Sequence, residues 1–170
     1  MIERLLARGH IERVQGAQAD GESWLERARQ NLGAARVIAS AAPDSGIVLA
    51  YDAARQACVA LLAQQGLRPT TAGGHYAVDE AIRAQFGPTL RDFGGLRRRR
   101  NELEYPQYPT ERASAAEAAE ALTTSEGILD RGCPYPAQPR VLLKAHAVDG
   151  ANGGRTCQLP DNPPPVRPRG

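Results

Sequence analysis

Aromatic side chains are scarce in this sequence: one Trp, five Tyr and two Phe amount to 5% of 170 residues. A β-sandwich draws on aromatic and β-branched residues for its faces, so that architecture is disfavoured. Close-packed helices with a core of Ala, Leu, Ile and Val are the alternative, and an apolar content of 42% excludes wholesale disorder. Lysine is nearly absent too. Of 21 basic residues 20 are Arg and one is Lys144, set against 19 acids. The net charge of +2 is unevenly placed. Residues 132–170 hold five bases and two acids, whereas residues 1–131 hold 16 Arg and 17 acids, so bulk charge does not mark a nucleic-acid binder. No apolar run approaches the roughly 18 residues of a membrane span. The opening Met1-Ile2-Glu3-Arg4 carries an acid and lacks the apolar stretch of a signal peptide, so a cytoplasmic protein that does not engage membranes is expected. The three cysteines, Cys58, Cys133 and Cys157, form no CxxC and no Cys/His set with zinc spacing. Neither a metal nor a cofactor is expected, and Cys58 reads as a small buried hydrophobe.

Composition changes at Gly132. Eight of the 13 prolines follow it, with a Pro163-Pro164-Pro165 run and Gly153-Gly154, so 132–170 reads as a disordered basic tail. Upstream, apolar residues recur at steps of three and four. Ser23 is placed to cap a helix with the stripe Trp24, Ala28, Leu32, Ala35, Ile38. Pro43-Asp44-Ser45 opens a second helix, with Tyr51, Ala54, Cys58 and Leu61/Leu62 on its stripe, closed by Gly66 and Pro69. A Gly-containing loop leads to a short helix with Val78, Ile82 and Phe86, and Gly87-Pro88 ends it. A fourth helix is expected over about 89–104, stopped by Pro106 and Pro109, and a fifth over about 111–130 with Ser114-x-x-Glu117 as a capping box. Residues 1–21 form an N-terminal extension with a weak helix interrupted by Gly9, and no strand signal is present. The expected fold is all-α: an antiparallel four- to five-helix bundle over 22–131 followed by the tail.

One cluster stands apart. On a wheel advancing about 100° per residue, Phe93, Leu96 and Leu103 gather on one side of the fourth helix. Of the run Arg97-Arg98-Arg99-Arg100, Arg98 and Arg99 fall away from that side, toward water. Arg97 lies on its edge and Arg100 within it. A guanidinium keeps its proton, so burial of Arg100 demands a partner, either Glu104 one turn on or a carboxylate such as Asp52. Asn101, Tyr105 and Tyr108 follow in a proline-bracketed turn. A fixed cation, an amide and phenols at one helix end suit a phosphate and a base. The binding candidates are therefore Arg97, Arg100, Asn101, Glu104, Tyr105 and Tyr108. A bland alternative stays open: Arg100 anchors a helix end and the rest is a solvated face.

Four segments in order, Leu49-Ala50-Tyr51-Asp52-Ala53-Ala54-Arg55-Gln56-Ala57, Leu61 to Pro69, Gly73-Gly74-His75 and Leu96 to Pro106, resemble a HEPN domain of the bacterial toxin or nucleotidyltransferase-partner type, over roughly 22–131. The resemblance implies a packed helical bundle, commonly a homodimer. Ribonucleases of the family carry an Arg, often followed by Asn, and a His separated from that Arg by four to six residues, and act on RNA without a metal. Arg100 and Asn101 match the first half of that motif, but Tyr105, Pro106 and Gln107 stand where the His would be. Arg100, Asn101 and Tyr105 are accordingly the catalytic candidates, although a phenol with an ordinary pKa near 10 is a weak base at neutral pH. His75 reads first as a polar residue at a helix start and second as a remote substitute for the missing base; His10 and His146 lie outside the domain. In members paired with a minor nucleotidyltransferase, a Tyr near the motif accepts nucleotidyl groups; Tyr105 and Tyr108 flank that position, held here by Gln107.

Three readings follow. The first is a non-catalytic or weakly active dimeric module binding RNA, a nucleotide or a partner such as a nucleotidyltransferase or antitoxin, in a toxin-antitoxin or defence setting. The second is an endoribonuclease with an unconventional base. The third is a helical scaffold without ligand.

Overall fold

The computed structural model describes residues 1–108 and 110–132; the expected disordered tail lies outside them, apart from its first residue. Six α-helices form an all-α antiparallel bundle among the described residues: α1 (Ile2–Ala7), α2 (Glu22–Ile38), α3 (Pro43–Gln64), α4 (Gly74–Phe86), α5 (Phe93–Glu104) and α6 (Ala115–Gly132). The long helix α3 is the axis, packed by α2, α4, α5 and α6. Its Ala50, Ala53, Ala54, Ala57 and Ala60 are fully buried, and such small side chains let neighbours approach on several sides. Gly46 shows how close α2 comes: a Cβ there would sit 2.8 Å from the Ala39 Cα. By length and composition alone α3 would suit a membrane span, but 72% of its apolar window is buried inside the bundle.

Local signals explain most boundaries. Pro43 stands in the first turn of α3, where its missing N–H costs nothing. Ser114 and Glu117 form a reciprocal capping box at the start of α6: Ser114 N–H donates to Glu117 Oε2 (2.8 Å), and Glu117 N–H donates to Ser114 Oγ (3.1 Å). Other expectations are corrected. Ser23 does not cap α2, which begins at Glu22; its first N–H meets the Asp20 carboxylate at 3.0 Å instead. The buried stripe is Leu25, Ala28, Leu32, Ala35 and Ala39, so Trp24 and Ile38 are only partly covered. The fourth expected helix starts late: Gly87, at φ +55°, and Pro88 hold Gly87–Leu90 in a 3-10 turn ahead of α5.

Two strands also exist where none was expected. β1 (Ile11–Arg13) and β2 (Leu67–Pro69) pair antiparallel, with Glu12 opposite Arg68. Gly66, at φ +71°, lets the chain turn out of α3, and its carbonyl accepts the Val14 N–H at 2.9 Å. Pairing brings Ile11 into the same core as Ile2, Leu5 and α3.

Candidate functional site

The four consecutive arginines leave α5 in different directions. Arg98 is exposed. Arg97 turns inward, where its Nε donates to Asp79 Oδ2 of α4 at 3.1 Å. Asp79 is 3% exposed, and its other oxygen accepts from Arg83 Nε at 3.2 Å. Arg99 does not stand free in water as the wheel suggested. It pairs with Glu102 (3.2 Å) and with Glu117 of α6 (3.0 Å), because α6 passes beside that face of α5.

Arg100 is the inward member, with a side chain 19% exposed. It pairs with Glu104 one turn on, and one terminal nitrogen donates to Asn101 Oδ1 at 3.2 Å. Its guanidinium carbon lies 5.9 Å from the centroid of the Tyr51 ring, within cation–π range. The Arg100 Nε is buried with no hydrogen-bond partner among the described residues. Asp52, the other partner considered, is engaged by Arg55 Nε at 3.2 Å on α3 itself.

Tyr51 is the centre of this region. Fully buried, it has Phe93 (centroids 5.6 Å apart, planes 15°) and His75 (5.5 Å, 26°) as ring neighbours. Its hydroxyl is 2.8 Å from His75 Nδ1, with the donor set by the imidazole tautomer. Burial pushes the Tyr51 phenol far above its ordinary range, so it stays protonated. Burial also lowers the His75 pKa from 6.5, and the Arg55 and Arg100 cations lower it further. A neutral imidazole, held through one nitrogen by a tyrosine and standing near a half-buried arginine, is suited to proton transfer at neutral pH.

The structure thus divides the residues singled out from sequence. Arg97 goes to the core. Arg100, paired with Glu104, meets Tyr51 of α3. Asn101 bonds Arg100 and also lines a separate cleft of about 690 Å³, with Tyr105, Gln107 and Arg112. Tyr105, 77% exposed, is remote in setting from the enclosed Tyr51 stack, and Tyr108 is exposed as well. Asp79 is the residue that sequence reasoning missed, while His75, considered from sequence only as a remote substitute, takes a larger place than expected. Asp79 left a legible trace, an acid beside Val78 and one turn before Ile82 on an apolar stripe. The partner of His75 left none, since its contact with Tyr51 spans 24 residues of chain. Among the described residues no group of three or more His, Cys, Asp or Glu is placed to hold a metal ion.

A family model described as HEPN domain matches residues 22–134. No curated protein and no solved structure matches the chain.

Proposed function

The chain belongs to the HEPN domain family, and from that premise we propose that it is a homodimeric, cytoplasmic module that binds RNA at the Arg100 end of α5. The observation that carries this reading is the state of Arg100. A guanidinium kept at 19% exposure beside a single carboxylate gives one N–H of each terminal nitrogen to Glu104 and Asn101 and keeps the second of each for a phosphate. Asn101 and Arg55 stand in the same region, the first bonded to Arg100 and the second on the neighbouring turns of α3. A role beside a nucleotidyltransferase or antitoxin, in a toxin-antitoxin or defence setting, belongs to the same proposal. It is supported by the exposure of Tyr105 and Tyr108, which leaves both phenols within reach of a modifying partner.

Filter binding of single-stranded RNA to the full chain tests it. Arg100→Ala is expected to weaken binding by about tenfold or more, roughly 1.4 kcal/mol, with Arg100→Lys recovering only part because the fork is lost. Arg98→Ala is expected to change little. Equal behaviour of the two alanine variants removes the site, and sedimentation of wild type as a monomer at tens of micromolar removes the homodimer.

One observation favours a catalytic version, namely His75 on the same tyrosine that Arg100 covers. In that version the His75 imidazole takes the proton of a ribose 2′-hydroxyl and the 2′-oxygen attacks the adjacent phosphorus. The bond to the 5′-oxygen breaks, that oxygen takes a proton from solvent, and Arg100 offsets the charge on the phosphoryl oxygens. The products are a 2′,3′-cyclic phosphate and a 5′-hydroxyl. His75→Ala should then abolish cleavage even at RNA concentrations that saturate the variant on filters; undiminished cleavage excludes His75 as the base.

A further inference from the structure

His75 has a second neighbourhood. It lines a cleft of about 590 Å³ together with Trp24 of α2, Arg55 of α3, Arg68 of β2 and the Thr70-Thr71 turn. We propose that this cleft is a ribonucleotide subsite in which Trp24 stacks on the base and Arg55 takes the phosphate. The proposal rests on the RNA-binding reading above, and places one nucleotide next to the phosphate held by Arg100.

The cleft volume falls within the roughly 300–1,000 Å³ usual for small-ligand sites. Trp24 is the single tryptophan of the chain and sits at the cleft, the core position beside it being filled by Leu25. The guanidinium carbon of Arg27 lies over its ring, 5.7 Å from the centroid, and the indole also packs against the core, so a base would meet the part of the ring that lines the cleft. An aromatic ring at a polar cleft suits a nucleobase, whose stacking contributes on the order of 1–3 kcal/mol. The two lining arginines differ. Arg68 places Nε and a terminal nitrogen on Glu12 across the strand pair, the Nε at 2.8 Å, so its fork is occupied. Arg55 uses only its Nε, on Asp52, and its two terminal nitrogens have no hydrogen bond among the described residues. That is the geometry of a guanidinium open to a phosphate. Glu12 offsets Arg68, and Asp52 meets Arg55 through the Arg55 Nε alone, so the terminal nitrogens of Arg55 are the cation the cleft offers, and Thr71 in the lining adds a neutral hydroxyl suited to a ribose. Continuity comes from His75, which belongs both to this lining and to the Tyr51 stack that Arg100 covers.

The lone tryptophan makes the test direct. The full chain is titrated with adenosine 5′-monophosphate, with inorganic phosphate and with hexa-adenylate RNA, following tryptophan emission. The nucleotide and the RNA are expected to give a saturable change, and inorganic phosphate none at the same concentration. Arg55→Gln is expected to weaken the nucleotide about tenfold with its melting temperature checked, and Trp24→Leu to weaken it similarly when binding is read by equilibrium dialysis. Hexa-adenylate binding tighter than the mononucleotide identifies a residue of RNA as the ligand, and equal affinity identifies the free nucleotide; both support the subsite. If inorganic phosphate reproduces the change, or if RNA binds on filters without altering emission, the subsite is overturned while the Arg100 reading stands. If the nucleotide binds but Arg100→Ala leaves hexa-adenylate affinity unaltered, the Arg100 reading falls and the subsite stands.

Discussion

Replacement of Asp79 by Ala probes the link between α4, which carries His75, and α5, which carries Arg100. Asp79 is 3% exposed and each of its oxygens accepts from a different arginine, Arg83 at 3.2 Å and Arg97 at 3.1 Å. Removing one partner of a buried pair costs about 3–5 kcal/mol, because the charge left behind has lost its solvent without keeping its counter-ion. The two arginines do not contribute equally. Arg83 is about half exposed and returns to water on losing its partner, so its share is that of a surface pair, below about 1 kcal/mol. Arg97 is 23% exposed and lies against Asp79 between the helices, so it carries most of the cost, and some access to water keeps the total near the lower bound. A loss of about 3 kcal/mol follows, which for a domain of this size lowers the melting temperature by about 10 °C. Circular dichroism melts of wild type and Asp79→Ala measure it. The double variant Asp79→Leu/Arg97→Met removes both charges and should recover most of the loss, since apolar replacements of a buried pair are often neutral. A single variant within about 1 kcal/mol of wild type, or a double variant as unstable as the single, would refute the reasoning.

His75 is expected to titrate below 6.5, because burial and the Arg55 and Arg100 cations disfavour its charged form. With the folded pKa depressed, the unfolded chain takes the proton first. Stability contributed by this group is full well above pH 6.5, falls as the pH drops through that value, and levels off below the folded pKa. A histidine-resolved NMR titration with a midpoint at or above 6.5 would show that the imidazole is not enclosed as described. Asp44 and Glu117, anchored by the backbone N–H groups of Ala113 and Ser114, hold their protons only below 3.8 and 4.5, so a series ending at about pH 5 isolates the histidine. Of the neighbouring arginines, the exposed one is Arg98, and Arg98→Ala should stay within about 0.5 kcal/mol of wild type. Arg99→Ala, which loses contacts to Glu102 and to Glu117 across helices, should cost about 1 kcal/mol after discounting for solvent screening; indistinguishable urea midpoints would contradict this.

What was legible in the sequence is what acts within one or two helical turns. The Ser114–Glu117 box joins residues three apart, so its spacing alone announces it. The placement of Arg100 among apolar residues, and its pairing with Glu104, is likewise a matter of one helix and its pitch. The middle of the α2 stripe, Ala28, Leu32 and Ala35, was read correctly, and its ends were off by one, Leu25 and Ala39 in place of Trp24 and Ile38, because the packing on α3 decides which flank of the stripe is covered. The β1–β2 pair was invisible for another reason. Three-residue strands show no alternation, Pro69 reads as a stop, and the Glu12–Arg68 contact joins positions 56 apart.

The periodicity of Ala, Leu and Ile, the caps and the breakers by themselves determined an all-α bundle and the order of its helices, because hydrogen bonding within a helix and burial of one stripe are short-range demands. They also determined that Arg100 faces inward. Its surroundings were decided only by the tertiary structure. Packing α4 and α5 on α3 brought His75 and Phe93 against Tyr51, sent Arg97 to Asp79 and put Glu117 beside Arg99. Such pairings depend on how the ridges of one helix seat against another, which no spacing along the chain encodes.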